Sequence, residues 1–147
     1  MIYLDAAYIA KCYLNEPGAE RVRALAAGAR GLASCAIGRA EFFSVVHRHL
    51  REKNIRAQEA RAVFRDFERD EQERVWQWLP VTAEVVRLVC ARIRAMPTNV
   101  LVRAADALHL GCARHHGFEK VYTNDRRMLA CAGHFDVVGE NVLAEPA

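Results

Sequence analysis

Four carboxylates interrupt segments that are otherwise apolar enough to be buried, and this limits the folds open to the chain. Asp5 follows Ile2, Tyr3 and Leu4; Glu41 stands between Ile37 and Val46 with Phe42 and Phe43 beside it; Asp106 falls within Ala104 to Leu110; Asp125 follows Val121, Tyr122, Thr123 and Asn124. A carboxylate removed from water without a partner is costly, so the fold must deliver each of these to a cation, a hydrogen-bond donor or a metal. If all four converge, the natural counter-ion is a hard divalent cation such as Mg²⁺, which takes oxygen ligands and keeps waters that can react. That arrangement would make the chain a metal-dependent hydrolase.

The pattern around the acids is that of an α/β protein. Ile2 to Leu4 is short, apolar and β-capable, and a helix is expected from Ala6 to about Leu14, ended by Asn15 to Gly18. Ala19 to Ala29 reads as a second helix, Leu32 to Cys35 as a second strand, and Ile37 to Lys53 with Arg56 to Arg74 as a helical hairpin turning at Asn54. Trp78 to Val81 is predicted as a third strand, at an edge or ending there because of Pro80. Thr82 is a plausible N-cap for a helix carrying Val85, Val86, Val89 and Ile93. A helix over Leu101 to His116, a strand over Lys120 to Thr123, a short helix over Asp125 to Ala132 and a strand over Asp136 to Val138 complete the chain. Strands alternating with helices imply a central parallel sheet.

Reactive groups in open parallel sheets gather beyond the carboxyl ends of the strands. Asp5 and Asp125 each follow a predicted strand by one or two residues and should open onto that edge. Glu41 shares a helical row with Ile37 and Val45, and Asp106 with Val102 and Leu110, so both should face inward. Taken singly, each acid could be a salt bridge or a cap, with Arg39, Arg103 and Arg126 as partners. Core packing gives no reason for four together.

With 147 residues, one domain is expected, and a formal charge of +3 permits a nucleic-acid partner without demanding one. Five cysteines, odd in number and without a Cys-x-x-Cys pair, read as reduced thiols of a cytoplasmic protein. No uncharged run is long enough for a signal peptide or a membrane span.

These blocks resemble those of a known family. Ile2 to Asp5 at the N-terminus, Arg39-Ala-Glu41 on a mid-chain helix, Ala105 to Ala113 around Asp106, and Tyr122-Thr-Asn-Asp125 are similar to the four acidic blocks of PIN-domain ribonucleases. The length and the early first acid most resemble VapC-type toxins of toxin-antitoxin pairs. The resemblance implies one PIN-like domain over residues 1–147, a three-layer α/β fold with a parallel sheet of about four or five short strands flanked by helices, and cytoplasmic endoribonuclease activity dependent on Mg²⁺ or Mn²⁺. It implies that Asp5, Glu41, Asp106 and Asp125 are the catalytic and metal-binding carboxylates, supported by Thr123. Ala6 and Ala7 stand where the family commonly carries a hydroxyl residue. The implied partners are RNA, a cognate antitoxin and a second copy of the chain in a homodimer, with no membrane. Phe42, Phe43, Phe64 and Phe67 are candidate anchors for the antitoxin or dimer contact.

RNA phosphates need cations around an acidic pocket. Arg39, Arg103, Arg126 and Arg127 are the principal candidates, with Arg48, Arg51 and Lys53 behind them. Tyr8 and Tyr122 could stack bases but fit core packing better, and His109 reads as a rim or packing residue. Two other readings stand beside this one. Cys112, His115, Cys131 and His134 could form a structural zinc site. Alternatively, the chain could be a catalytically inactive RNA- or protein-binding module. A dehalogenase-like phosphatase needs a second acid two residues after the first, where Ala7 stands.

Overall fold

Every strand lies parallel to its neighbours, as the alternation requires. The computed structural model describes residues 1–145. Its strands are β1 (Ile2–Leu4), β2 (Leu32–Cys35), β3 (Trp76–Leu79), β4 (Lys120–Tyr122) and β5 (Val138–Glu140), in the order β3-β2-β1-β4-β5. The helices are α1 (Ala6–Tyr13), α2 (Ala19–Ala27), α3 (Ala36–Arg51), α4 (Ala57–Gln72), α5 (Ala83–Arg94), α6 (Ala104–His115) and α7 (Arg126–Ala132).

The period-two alternation of strand side chains divides the core into two layers. Tyr3, Ala33, Cys35 and Val121 pack with α5, α6 and α7, including Val85, Val89, Leu110 and Met128. Leu4, Leu32 and Trp76 pack on the opposite face with Ile9, Val22, Phe42, Val46 and Phe67 from α1 to α4. The result is three layers, helices on both faces of a five-stranded parallel sheet.

The order of the strands positions the site. From β1 the chain moves outward through β2 to β3, then returns past β1 to β4 on its other side. The switch point therefore lies between β1 and β4, beyond whose carboxyl ends a crevice must open. Asp5 and Asp125 follow these two strands. Their backbones are locked in register by Leu4 opposite Tyr122 and by the Asp5 N–H donating to the Tyr122 carbonyl at 3.1 Å.

Several expected boundaries move by one to three residues, three of them for a reason visible in the backbone. The third strand runs from Trp76 to Leu79 instead of Trp78 to Val81, because Pro80 has no N–H to continue the ladder. The last strand starts at Val138 and not at Asp136, whose φ of 56° closes a 3₁₀ turn and is incompatible with extended pairing. The sixth helix begins at Ala104 and not at Leu101, since Arg103 is extended.

The aromatic hairpin of α3 and α4 is largely internal. Phe42 and Phe67 are fully buried and stacked 4.3 Å apart, so neither is free to anchor a partner, while Phe43 and Phe64 stack at 5.2 Å and stay half-buried. Tyr8 is buried and ties down the C-terminal segment, its hydroxyl donating to Asn141 and accepting from the Val142 N–H. All five cysteines are free, and no helix among the described residues is long and apolar enough to cross a membrane.

Close approach of α5 to α6 depends on Gly111, where an added Cβ would lie 2.4 Å from Val89 Cγ2. Gly111→Ala is therefore expected to cost about 1–3 kcal/mol in urea unfolding through overpacking. Val89→Ala in the same chain should recover part of that loss, and additive losses would contradict this packing account.

Candidate active site

The four sequence-identified acids line one cavity of about 280 Å³ at the switch point, together with Glu16, Arg48, Arg103 and His109. Different elements deliver each acid, and two of them, Asp106 and Asp125, share one arginine.

Asp5 is the N-cap of α1. One carboxylate oxygen accepts the Tyr8 N–H at 2.9 Å, and the other accepts the Thr123 hydroxyl at 2.5 Å. Thr123 also accepts the Asp125 N–H at 2.9 Å, so one buried hydroxyl links the ends of β1 and β4. Only 3% of Asp5 is exposed. Burial pushes its pKa up from 3.8 to about 6, against the Thr123 and Tyr8 hydrogen bonds that favour the anion.

Asp125 is the N-cap of α7, with Oδ1 accepting from the N–H groups of Arg127 and Met128. Partial burial raises its pKa, but these donors and Arg103 outweigh it and hold the group below the ordinary carboxylate value. Asp106, in the first turn of α6, receives Nε and Nη2 of Arg103 at 2.7 and 3.0 Å. The same Nη2 meets Asp125 Oδ2 at 2.5 Å.

Glu41 is the most open of the four, with 37% of its side chain exposed, so it faces the cavity instead of the core. Its Oε1 lies 2.7 Å from His109 Nε2, and His109 Nδ1 lies 2.8 Å from the Tyr3 hydroxyl. The Tyr3 oxygen accepts the Cys35 N–H. In the neutral ring, the Tyr3 proton therefore points to Nδ1, leaving Nε2–H to donate to Glu41. Burial disfavours the His109 cation, but Glu41 and Asp5 reverse this and raise its pKa. Gly38 permits the close approach: an added Cβ would sit 2.7 Å from Ser34 Oγ and 3.2 Å from His109 Cε1.

Glu16 is a fifth carboxylate on the cavity, paired with Lys11 at 3.1 Å and His49 at 2.9 Å. It sits in a turn that reads as a helix terminator, which hid it. Arg48 lines the cavity and has no ion pair among the described residues. Its signal was available, since Glu41, Val45 and Arg48 at i, i+4 and i+7 share one face of α3. Arg39 points elsewhere, held by Glu71 at 2.6 and 2.9 Å and lying over Phe43. Arg126 and Arg127 are exposed at the start of α7 and do not line the cavity.

The donors converging on the cavity are carboxylate oxygens, the ligand chemistry of a hard divalent cation and not of zinc on thiolates. In this respect Asp5, Glu41, Asp106 and Asp125 fit Mg²⁺ or Mn²⁺. Among the described residues, however, no three Asp, Glu, His or Cys side chains are gathered closely enough to hold a metal as they stand. Arg103 pairs with Asp106 and Asp125, His109 with Oε1 of Glu41, and Thr123 with the Tyr8 N–H holds Asp5. The zinc alternative is not assembled either: the Cys112 thiol points to the Leu79 and Pro80 carbonyls, and Cys131 donates to Leu101.

A family model described as the PIN domain matches residues 2–133. The fold is similar to FitAcB from Neisseria gonorrhoeae, with a TM-score of 0.67 and 23% identity over 95% of this chain and 96% of that one. A FitAB assembly solved on a DNA fragment gives 0.72 and 20% over 100% and 99%. VapBC2 from Rickettsia felis, bound to a DNA fragment from its promoter, gives 0.66 and 14% over 96% and 98%. No curated protein matches the sequence.

The raised Asp5 pKa carries a stability consequence. Below about pH 4 the carboxyl is protonated folded or unfolded, and burial adds no electrostatic cost. As pH rises towards 6 the unfolded chain ionises first and the folded state is progressively disfavoured, by up to about 3 kcal/mol above pH 6. In EDTA, Asp5→Asn should thus be more stable than the parent at pH 7 and nearly equal to it at pH 4 by urea unfolding. A variant less stable at pH 7 than at pH 4, relative to the parent, would contradict this.

Proposed function

The chain belongs to the PIN-domain family, and from that premise we propose that it is a divalent-metal-dependent endoribonuclease, the toxin of a VapBC-type toxin-antitoxin pair acting in the cytoplasm. The observation carrying the reading is the convergence of Asp5, Glu41, Asp106 and Asp125, drawn from four separate parts of the chain, on one cavity. Those four would hold Mg²⁺ or Mn²⁺. When bound, such an ion supplies charge neutralisation at a phosphodiester and acidifies water.

The protein's own groups do the remaining work. Arg48 and Arg103 on the cavity can meet RNA phosphates, with Arg126 and Arg127 extending the basic surface outward. Glu41, oriented through Oε1 by His109, keeps Oε2 for accepting a proton from an attacking water. Asp5 and Thr123 hold the ends of β1 and β4 in register beneath the reacting groups. In-line attack would leave a 5′-phosphate.

FitAB and VapBC are named as pairs, and this supports an antitoxin partner here. Phe43 and Phe64, the half-buried aromatic pair on α3 and α4, are the remaining anchors for it or for a second copy of the chain. One observation favours a catalytically silent RNA- or protein-binding module instead: Arg103 already neutralises Asp106 and Asp125.

Asp106→Asn should keep its melting temperature within a few degrees and lose RNA cleavage in Mg²⁺ by roughly 100-fold or more. EDTA should abolish the parent's cleavage and Mn²⁺ restore it, with new RNA ends carrying 5′-phosphates. A metal-replete parent that binds RNA without cutting it would establish the silent module.

A further inference from the structure

Arg103 holds the acids in a way that the nuclease reading does not use. Its extended backbone precedes α6, and its side chain, 45% exposed, reaches back over the cavity. One guanidinium takes both oxygens of Asp106 and Oδ2 of Asp125. The remaining oxygen, Asp125 Oδ1, accepts two backbone N–H groups. A divalent cation held by the same two carboxylates needs oxygens that this guanidinium occupies, so the two cations exclude one another there.

The arm is built to leave. Its side chain is partly exposed, and beyond Asp106 and Asp125 it makes no side-chain hydrogen bond among the described residues. Partly exposed ion pairs are modest in strength, so a more highly charged ion can displace it. Arg48 lines the same cavity but pairs with none of these acids. It adds positive potential without competing for their oxygens.

We propose that Arg103 is an exchangeable internal counter-ion: it clamps Asp106 and Asp125 until a divalent cation displaces it, and the released fork then engages an RNA phosphate. The proposal rests on the reading of the cavity as a divalent-metal site. It makes metal loading and the appearance of a bidentate phosphate-binding fork one event, so that the site presents its phosphate ligand only when it can cut. It also weakens metal binding, because apparent affinity falls by the fraction of molecules in which the clamp is open.

The test is calorimetric titration of Mn²⁺ into the parent, Arg103→Ala, Arg103→Lys, Arg48→Ala and Asp106→Asn. Arg103→Ala should bind Mn²⁺ about tenfold more tightly than the parent, for a clamp closed in about nine molecules of ten. Arg103→Lys keeps the charge without the fork and should also tighten several-fold, whereas Arg48→Ala should change affinity less than either. At saturating Mn²⁺, Arg103→Ala should show a raised KM for RNA. In the parent, the Arg103 Nε–H resonance, identified by its loss in Arg103→Lys, should move as Mg²⁺ saturates.

Arg103→Lys binding like the parent, with Arg103→Ala and Arg48→Ala tightening equally, would reduce the effect to a charge field and overturn the clamp. A stationary Nε–H resonance at saturating Mg²⁺ would do the same. If the parent binds no Mn²⁺, or Asp106→Asn binds it as the parent does, the metal-site reading itself fails and not the clamp alone.

Discussion

Carboxylates crowded into a low-dielectric crevice repel one another, and the rest of this structure is organised around relieving that repulsion. Each acid is partnered. Asp5 has the Thr123 hydroxyl and a helix N–H, Glu41 has His109, Glu16 has Lys11 and His49, and Asp106 with Asp125 share Arg103. At Asp5 burial is the larger cost: desolvation raises its pKa against its hydrogen bonds, and the nearby Glu41 charge adds only a minor push in the same direction. A site of this kind gains most from a compact dication, since one ion replaces several weaker contacts at once.

The supports of the site run deep into the fold. Glu41 is oriented by a buried line from the Cys35 N–H through Tyr3 and His109, which joins β2, β1, α6 and α3. Thr123 joins β1 to β4 beneath Asp5 and Asp125. Thr123 bridges the switch point between β1 and β4, and the Tyr3–His109 line ties β1 and β2 to helices on both faces of the sheet. The groups that position the chemistry thus also stitch the sheet's centre, and substitutions in them should couple stability to activity.

Much of this was legible in the sequence, for a physical reason. Apolar runs ending in Asp5 and before Asp125 mark strand ends, and the helical row through Asp106 marks an inward face; the row through Glu41 reads the same way, yet its side chain is 37% exposed and opens onto the cavity. The parallel sheet and its five strands follow from the same alternation, with the larger errors where Pro80 and Asp136 act on the backbone. The partners were hidden. His109 is set by Tyr3, 106 residues away, and Glu16 is half-buried where Lys11 and His49 pair with it. Among the arginines, Arg48, already a candidate from sequence, lines the cavity as its spacing to Glu41 implies, whereas the capture of Arg39 by Glu71 depends on how α3 packs against α4.

The central claim is that these carboxylates form one cation site and are not four separately satisfied charges. Anomalous diffraction from crystals soaked in Mn²⁺ addresses it directly. The account predicts an anomalous peak in the cavity, within ligand distance of carboxylates from at least three of Asp5, Glu41, Asp106 and Asp125, with the Arg103 guanidinium moved off Asp106. Saturating Mn²⁺ that leaves the cavity without a peak and the arginine still clamped, or that binds only elsewhere on the protein, would contradict it.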